Sequence, residues 1–108
     1  MKPVKWHPKV LEFVRRQSAE IRKQLGEALR DVQKGMNLGM PVSRPMPSVG
    51  RGVHELRPGD ATRAVRVFYI ARFEDAIYVF HGFEKRTRAT PRSEIVLGKK
   101  RLSEVLNG

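Results

Sequence analysis

Arg57, Arg66, Lys85 and Arg86 lie in or beside alternating apolar segments, and His54 and His81 lie in the same stretches. Cations and imidazoles mixed in this way suit one reaction class, the cleavage of RNA through its own 2′-hydroxyl. That reaction needs no protein nucleophile and no metal; it needs a base, an acid, and cations that stabilise the extra charge on the phosphorane. Arginine suits the last task because its planar fork meets phosphate oxygens in pairs and stays charged. Histidine can take either proton role near neutral pH. Arg66, His81, Arg86 and His54 are therefore the candidate catalytic residues, and Arg57, Arg63, Lys85 and Arg88 the candidate RNA-binding ones.

Each of these residues also has a plainer reading. Arg57 stands before a proline turn as a strand end would, and Lys85 and Arg86 could be a solvated strand terminus. Arg66 sits among residues expected to be half buried, where a charge is expensive unless paired, and Glu55 is its simplest partner. A single histidine inside an apolar strand, as His81 is, is also the pattern of a hydrogen-bonded core residue. Tyr69 and Tyr78 fall at core positions by strand parity, although a tyrosine at a sheet edge can stack on a base.

The stretch from Val53 to Arg88 must position these side chains. From Arg63 to Phe73, Val65, Val67, Tyr69, Ala71 and Phe73 alternate with Arg66, Phe68, Ile70 and Arg72, predicting a strand with an apolar face and a face that carries cations. Ala76 to Phe83, AIYVFHGF, is dense enough for a central strand covered on both faces, with Glu74 and Asp75 as the turn before it. Val53 to Arg57 predicts a shorter strand, joined to the Arg63 strand through Pro58-Gly59-Asp60.

The remaining segments supply helices. Val4 to Trp6 suits a short strand, and His7-Pro8 opens a helix bearing Val10, Phe13 and Val14 on one side. Ser18 caps a second, with Ile21, Leu25, Ala28, Leu29 and Val32 at helical spacing and Gly35 after it. Met36 to Gly52 is rich in methionine, proline and glycine and has no sustained period. It reads either as a functional or mobile loop or as an irregular connection whose methionines fill gaps in the core. Thr90-Pro91 starts a last helix with Ile95, Leu102, Val105 and Leu106 as its apolar side. Three consecutive strands pair most simply as an antiparallel meander. The expectation is one α+β domain over residues 1–108, with two N-terminal helices and a C-terminal helix packed on one sheet face.

Composition narrows the partners. The chain has 108 residues, enough for one core, and 22 Lys and Arg against 11 Asp and Glu give a net charge of +11. That balance favours an anionic partner such as nucleic acid. The excess is spread along the chain rather than gathered in a tail. No cysteine is present, so disulfide and thiolate chemistry are excluded. His7, His54 and His81 show no ligand spacing, and Gly50-Arg51-Gly52 lacks the lysine and hydroxyl of a phosphate loop; neither a metal nor a cofactor is indicated. No apolar run reaches membrane-helix length and no secretion signal is apparent, so the expected setting is cytoplasmic, with no membrane partner.

The segments GRGVHELR, RAVRVFYIA and IYVFHGFEKRTRATP, in that order and followed by a terminal helix, resemble the phage-derived HigB-like branch of the RelE/ParE toxin superfamily. The resemblance covers most of the chain, including the two leading helices. It implies a RelE-like α+β fold and the toxin of a type II toxin–antitoxin pair, a ribosome-dependent endoribonuclease that cuts mRNA. It also implies a HigA-like helix-turn-helix antitoxin as partner, beside the ribosome and mRNA. On this resemblance Arg66 matches the arginine of the central R-x-x-Y strand, Lys85 and Arg86 the basic pair after the penultimate strand, Arg57 the arginine of the ELR segment, and His81 the histidine of the HGF segment. Two positions depart from the RelE-type nucleases: His54-Glu55 stands where a lysine-bearing strand is found, and Thr90-Pro91 where a tyrosine is. A histidine is then expected to replace those functions. ParE-type members of the superfamily inhibit DNA gyrase without nuclease chemistry, and a basic phage protein that only binds nucleic acid is a further alternative.

Overall fold

A computed structural model describes residues 1–107. Its elements are β1 (Val4–Trp6), α1 (Pro8–Arg15), α2 (Ala19–Gln33), β2 (Ser43–Pro45), β3 (Val53–Leu56), β4 (Ala64–Ile70), β5 (Ile77–Lys85) and α3 (Arg92–Asn107). The helix starts follow local chemistry. His7 caps α1 by accepting from the Lys9 amide, with proline at the first helical position. Ser18 caps α2 by accepting from the Ile21 amide, and its hydroxyl donates to Asp60 Oδ2 at 2.7 Å. Asp60 Oδ1 in turn accepts from the Thr62 and Arg63 amides, both at 2.9 Å, and so fixes the turn before β4.

The sheet has the order β1-β5-β4-β3-β2. Strands β3, β4 and β5 form the expected antiparallel meander. β1 adds to β5 in parallel, which makes the sheet mixed. The edge strand β2 emerges from the segment that shows no period in sequence, pairing Arg44 with Glu55. Met46 and Val49 from that segment are buried, whereas Met36 and Met40 are exposed, so one methionine fills the core as expected and two do not.

The helices occupy both faces of the sheet, not one. α1 and α2 cover Leu56, Val65, Val67, Tyr69, Ile77 and Val79. α3 covers Phe68, Ile70, Phe80 and Phe83 through Ile95, Leu102 and Val105. The face of β4 expected to carry cations is thus mostly a second core, because Phe68 and Ile70 lie on it and Arg66 alone brings charge from within the strand. Arg72 and Phe73 fall beyond β4, since β3 begins at Val53 opposite Ile70 and offers no partner further on. Two glycines allow close approach. A Cβ on Gly82 would lie 2.8 Å from the Phe13 ring, and one on Gly98 would lie 2.9 Å from the Phe68 ring.

A register shift organises the α3 face. Phe68 pairs with His81 but Tyr69 pairs with Val79, leaving Phe80 as the extra residue of a bulge. The bulge re-aims the chain, so Phe80 and His81 both turn towards α3 although they are adjacent in sequence. The dense apolar run of β5 therefore serves both cores. Among the described residues no helix is long and apolar enough to cross a membrane.

Candidate phosphate-binding site

The pairings Arg44 to Glu55, Glu55 to Phe68, Arg66 to Phe83 and Ala64 to Lys85 place one residue from each of four neighbouring strands on the α3 side of the sheet. Arg57 shares that side by alternation from Glu55. Glu55 is the centre of the group, with no exposed surface. Its Oε1 accepts from Arg44 Nε at 2.9 Å and from Arg57 Nη1 at 3.2 Å, and Arg66 Nε lies 3.7 Å away as an ion pair. The three arginine side chains are 39, 21 and 10% exposed in that order, so the group runs from the surface at β2 inward to β4. Arg66 Nη1 donates to the Val65 carbonyl at 2.9 Å. Lys85 Nζ donates to the carbonyls of Thr87 and Arg88, each at 2.7 Å, and so ties down the segment that leaves β5.

Four cations against one carboxylate leave the group with a net charge of +3. The titration of its members reflects that imbalance. Burial pushes the Arg66 guanidinium down from its ordinary value, and Arg57 pushes it further, with Glu55 opposing. Lys85 is pushed down by burial first and then by repulsion from Arg66, again with Glu55 opposing. Among the described residues, Glu55 Oε2 and Arg66 Nε are buried side-chain atoms without a hydrogen-bond partner. Partly exposed guanidiniums converging on one carboxylate oxygen retain free N–H groups, the geometry that receives phosphate oxygens.

Of the residues expected from sequence, Arg57, Arg66 and Lys85 come together here. Arg44 and the central position of Glu55 were missed as site components, although Glu55 is the counter-ion expected for Arg66. The irregular composition around Arg44 hides its strand; the two-residue spacing of Glu55 and Arg57 is the signal that puts both on one face. Arg86 is exposed just past β5 and pairs with Glu84 at 3.3 Å. Arg63 and Arg88 are exposed at the turn before β4 and after β5.

Neither histidine joins the group. His54 pairs with Tyr69 and stacks on it at 5.6 Å between ring centroids, on the α1 and α2 side of the sheet. His81 is 1% exposed, with Phe68 and Phe83 at 5.5 and 5.7 Å. Arg101 Nη1 donates to His81 Nδ1 at 2.8 Å, so the proton resides on Nε2 and is donated to Glu94 at 2.8 Å. Burial lowers the affinity of this imidazole for a second proton, against the pull of Glu94. His81 thus fastens α3 to the sheet. A second tie of the same kind joins His7 Nε2 to Glu104 at 2.8 Å. Among the described residues no three histidines or carboxylates gather as a metal site.

The cationic group and the His81 tie to Glu94 and Arg101 lie within residues 12–103, the span matched by the family model described as "Phage derived protein Gp49-like". The chain belongs to this family. The Gp49-like family is of RelE/HigB-like toxin type, in keeping with the small α+β fold, its N-terminal strand and its C-terminal helix. The Gp49-like match begins inside α1 and ends inside α3, so it takes in the whole meander. No curated protein and no solved structure gives a match.

Proposed function

We propose that this Gp49-like protein is the toxin of a type II toxin–antitoxin pair, of the HigB-like branch, and that it is a ribosome-dependent, metal-independent endoribonuclease acting on mRNA. The observation that carries this reading is the excess of positive charge around Glu55, on strands that can receive a phosphodiester. The 2′-oxygen attacks phosphorus, the bond to the 5′-oxygen breaks, and a 2′,3′-cyclic phosphate and a free 5′-hydroxyl result. Arg66 and Arg57 hold the two non-bridging oxygens as charge grows on them, with Arg44 closing the outer side. The 2′-hydroxyl proton passes to water, and the 5′-oxygen receives a proton from Lys85, the lysine of the group and the one cation there able to give a proton up. That role is assigned to Lys85 rather than to His81 or His54 because His81 is buried with both ring nitrogens engaged and His54 is on the other face. Arg63, before β4, and Arg86 and Arg88, after β5, are exposed cations suited to flanking phosphates. The partner that silences the toxin is a HigA-like helix-turn-helix antitoxin with an acidic or apolar segment able to cover the cationic group.

The second reading, a non-catalytic toxin of the same fold such as a ParE-type gyrase inhibitor, gains from the absence of an imidazole in the group. Inducible expression in a bacterial host separates the two. With growth followed and 5′ ends of mRNA mapped, nuclease action gives growth arrest and new ends within translated regions, both lost in Arg66→Ala. Arrest with intact messages and DNA-damage signalling transfers the assignment to the inhibitor.

A further inference from the structure

The carboxylate at the centre of the cationic group is the feature that a phosphate site does not obviously need. A buried glutamate among arginines weakens their attraction for an anion, and a neutral residue of the same shape would leave more charge for a ligand. Its geometry shows what it gives in return. One oxygen, Oε1, faces the guanidiniums of Arg44 on β2, Arg57 just past the end of β3, and Arg66 on β4. Left to themselves, these three cations and Lys85 repel one another, and their long side chains would spread into solvent. Glu55 has no exposed surface and is fixed by its place on the short strand β3, so it is a rigid point for them to converge on. Arg66 Nε finds no hydrogen-bond partner at 3.7 Å from Oε1, and the partly exposed guanidiniums of Arg44 and Arg57 keep N–H groups that Glu55 does not use, so the set has donors left for an anion.

We propose that Glu55 is the positioning residue of this site: it holds Arg44, Arg57 and Arg66 in a converging fan that one phosphodiester completes. The inference rests on the reading of the cationic group as the RNA-cleaving site. It makes affinity and turnover move in opposite directions. Removing the charge in Glu55→Gln frees positive charge, so inorganic phosphate binds more tightly, by about tenfold for a change of about 1.4 kcal/mol. The arginines then lose their common anchor, and cleavage turnover falls by at least about tenfold, the loss expected when transition-state contacts are misplaced.

The experiment compares wild type, Glu55→Gln and the charge-compensated Glu55→Gln/Arg44→Gln. Inorganic phosphate is titrated against the arginine Nε–H resonances, and kcat and KM are measured for mRNA on ribosomes across pH. Tighter phosphate binding with slower turnover in Glu55→Gln, and a return towards wild-type phosphate affinity in the double variant, support the proposal. Unchanged or weaker phosphate binding in Glu55→Gln overturns it. So does lost turnover accompanied by loss of a titrating limb of the pH profile at unchanged phosphate affinity, which would make Glu55 a proton acceptor. If Glu55→Gln does not fold, Glu55→Asp keeps the charge but shortens the anchor: turnover reduced by at least about tenfold with phosphate affinity near that of wild type supports the anchor, and wild-type turnover overturns it. Should the wild-type protein not cleave mRNA at all, the nuclease reading fails, while the phosphate titrations still decide the role of Glu55.

Discussion

Two groups of polar side chains gather on the α3 face of the sheet, one around buried His81 and one around buried Glu55, and they are built on opposite terms. Around His81 every demand is met: Nδ1 receives from Arg101, Nε2 donates to Glu94, and the two charged partners cancel. Around Glu55 one carboxylate oxygen serves three guanidiniums, Lys85 adds a fourth cation, and buried polar atoms remain without partners. A satisfied group holds structure together, whereas an unsatisfied one retains binding capacity. On the proposed function, His81 holds α3 and the arginines carry the chemistry.

Substitutions that touch only one group sharpen the contrast. The largest effect is expected from Arg66→Gln, which should lower single-turnover cleavage by about 10²–10³, the loss of one preorganised charge donor. Its stability should move by no more than about 1 kcal/mol, because Glu55 keeps Arg44 and Arg57 as partners; urea denaturation checks this. Next, His81→Ala should cost about 3 kcal/mol in the same denaturation experiment, since it opens a cavity and strands Glu94 and Arg101. Its pH dependence has a definite sign. The folded imidazole binds its second proton less readily than the ordinary value of 6.5, burial being the chief cause. Its contribution is therefore present above pH 6.5 and is lost as pH falls from there towards the lower folded value. His81→Gln should flatten that decline.

Smaller effects test the cover itself. Gly98→Ala forces a methyl to 2.9 Å from the Phe68 ring. It should cost about 1–2 kcal/mol without touching the arginines, if the ring cannot shift. Asp60 supplies a third, surface-exposed group, held to about 2 mainly by the Ser18 hydroxyl and by the Thr62 amide. A depressed carboxyl stabilises the fold above its unfolded value of 3.8 and loses that contribution as pH falls towards 2. Asp60→Asn should thus lower Tm at pH 7 and converge with wild type near pH 2.

Strand alternation made the meander legible, caps and helical spacing the two leading helices, and Arg66 stood out because it interrupts an apolar strand. The same alternation could not show that the second face of β4 is also covered, since Phe68 and Ile70 suit either a partner helix or an exposed hydrophobic surface. His81 drew attention for its chemistry, yet its partners Glu94 and Arg101 lie 13 and 20 residues away on a helix whose seating no local pattern reveals. The bulge at Phe80 is likewise invisible in composition, although it turns His81 towards α3. Arg44 was hidden because β2 is three residues long and ends in a proline.

The most direct test of the contrast is single-turnover cleavage of ribosome-bound mRNA, expressed per folded molecule, for Arg66→Gln and His81→Gln side by side. The account predicts that Arg66→Gln is folded and nearly inactive, and that His81→Gln is less stable but cleaves at close to the wild-type rate in its folded fraction. A fully folded His81→Gln without activity beside an active Arg66→Gln would contradict it.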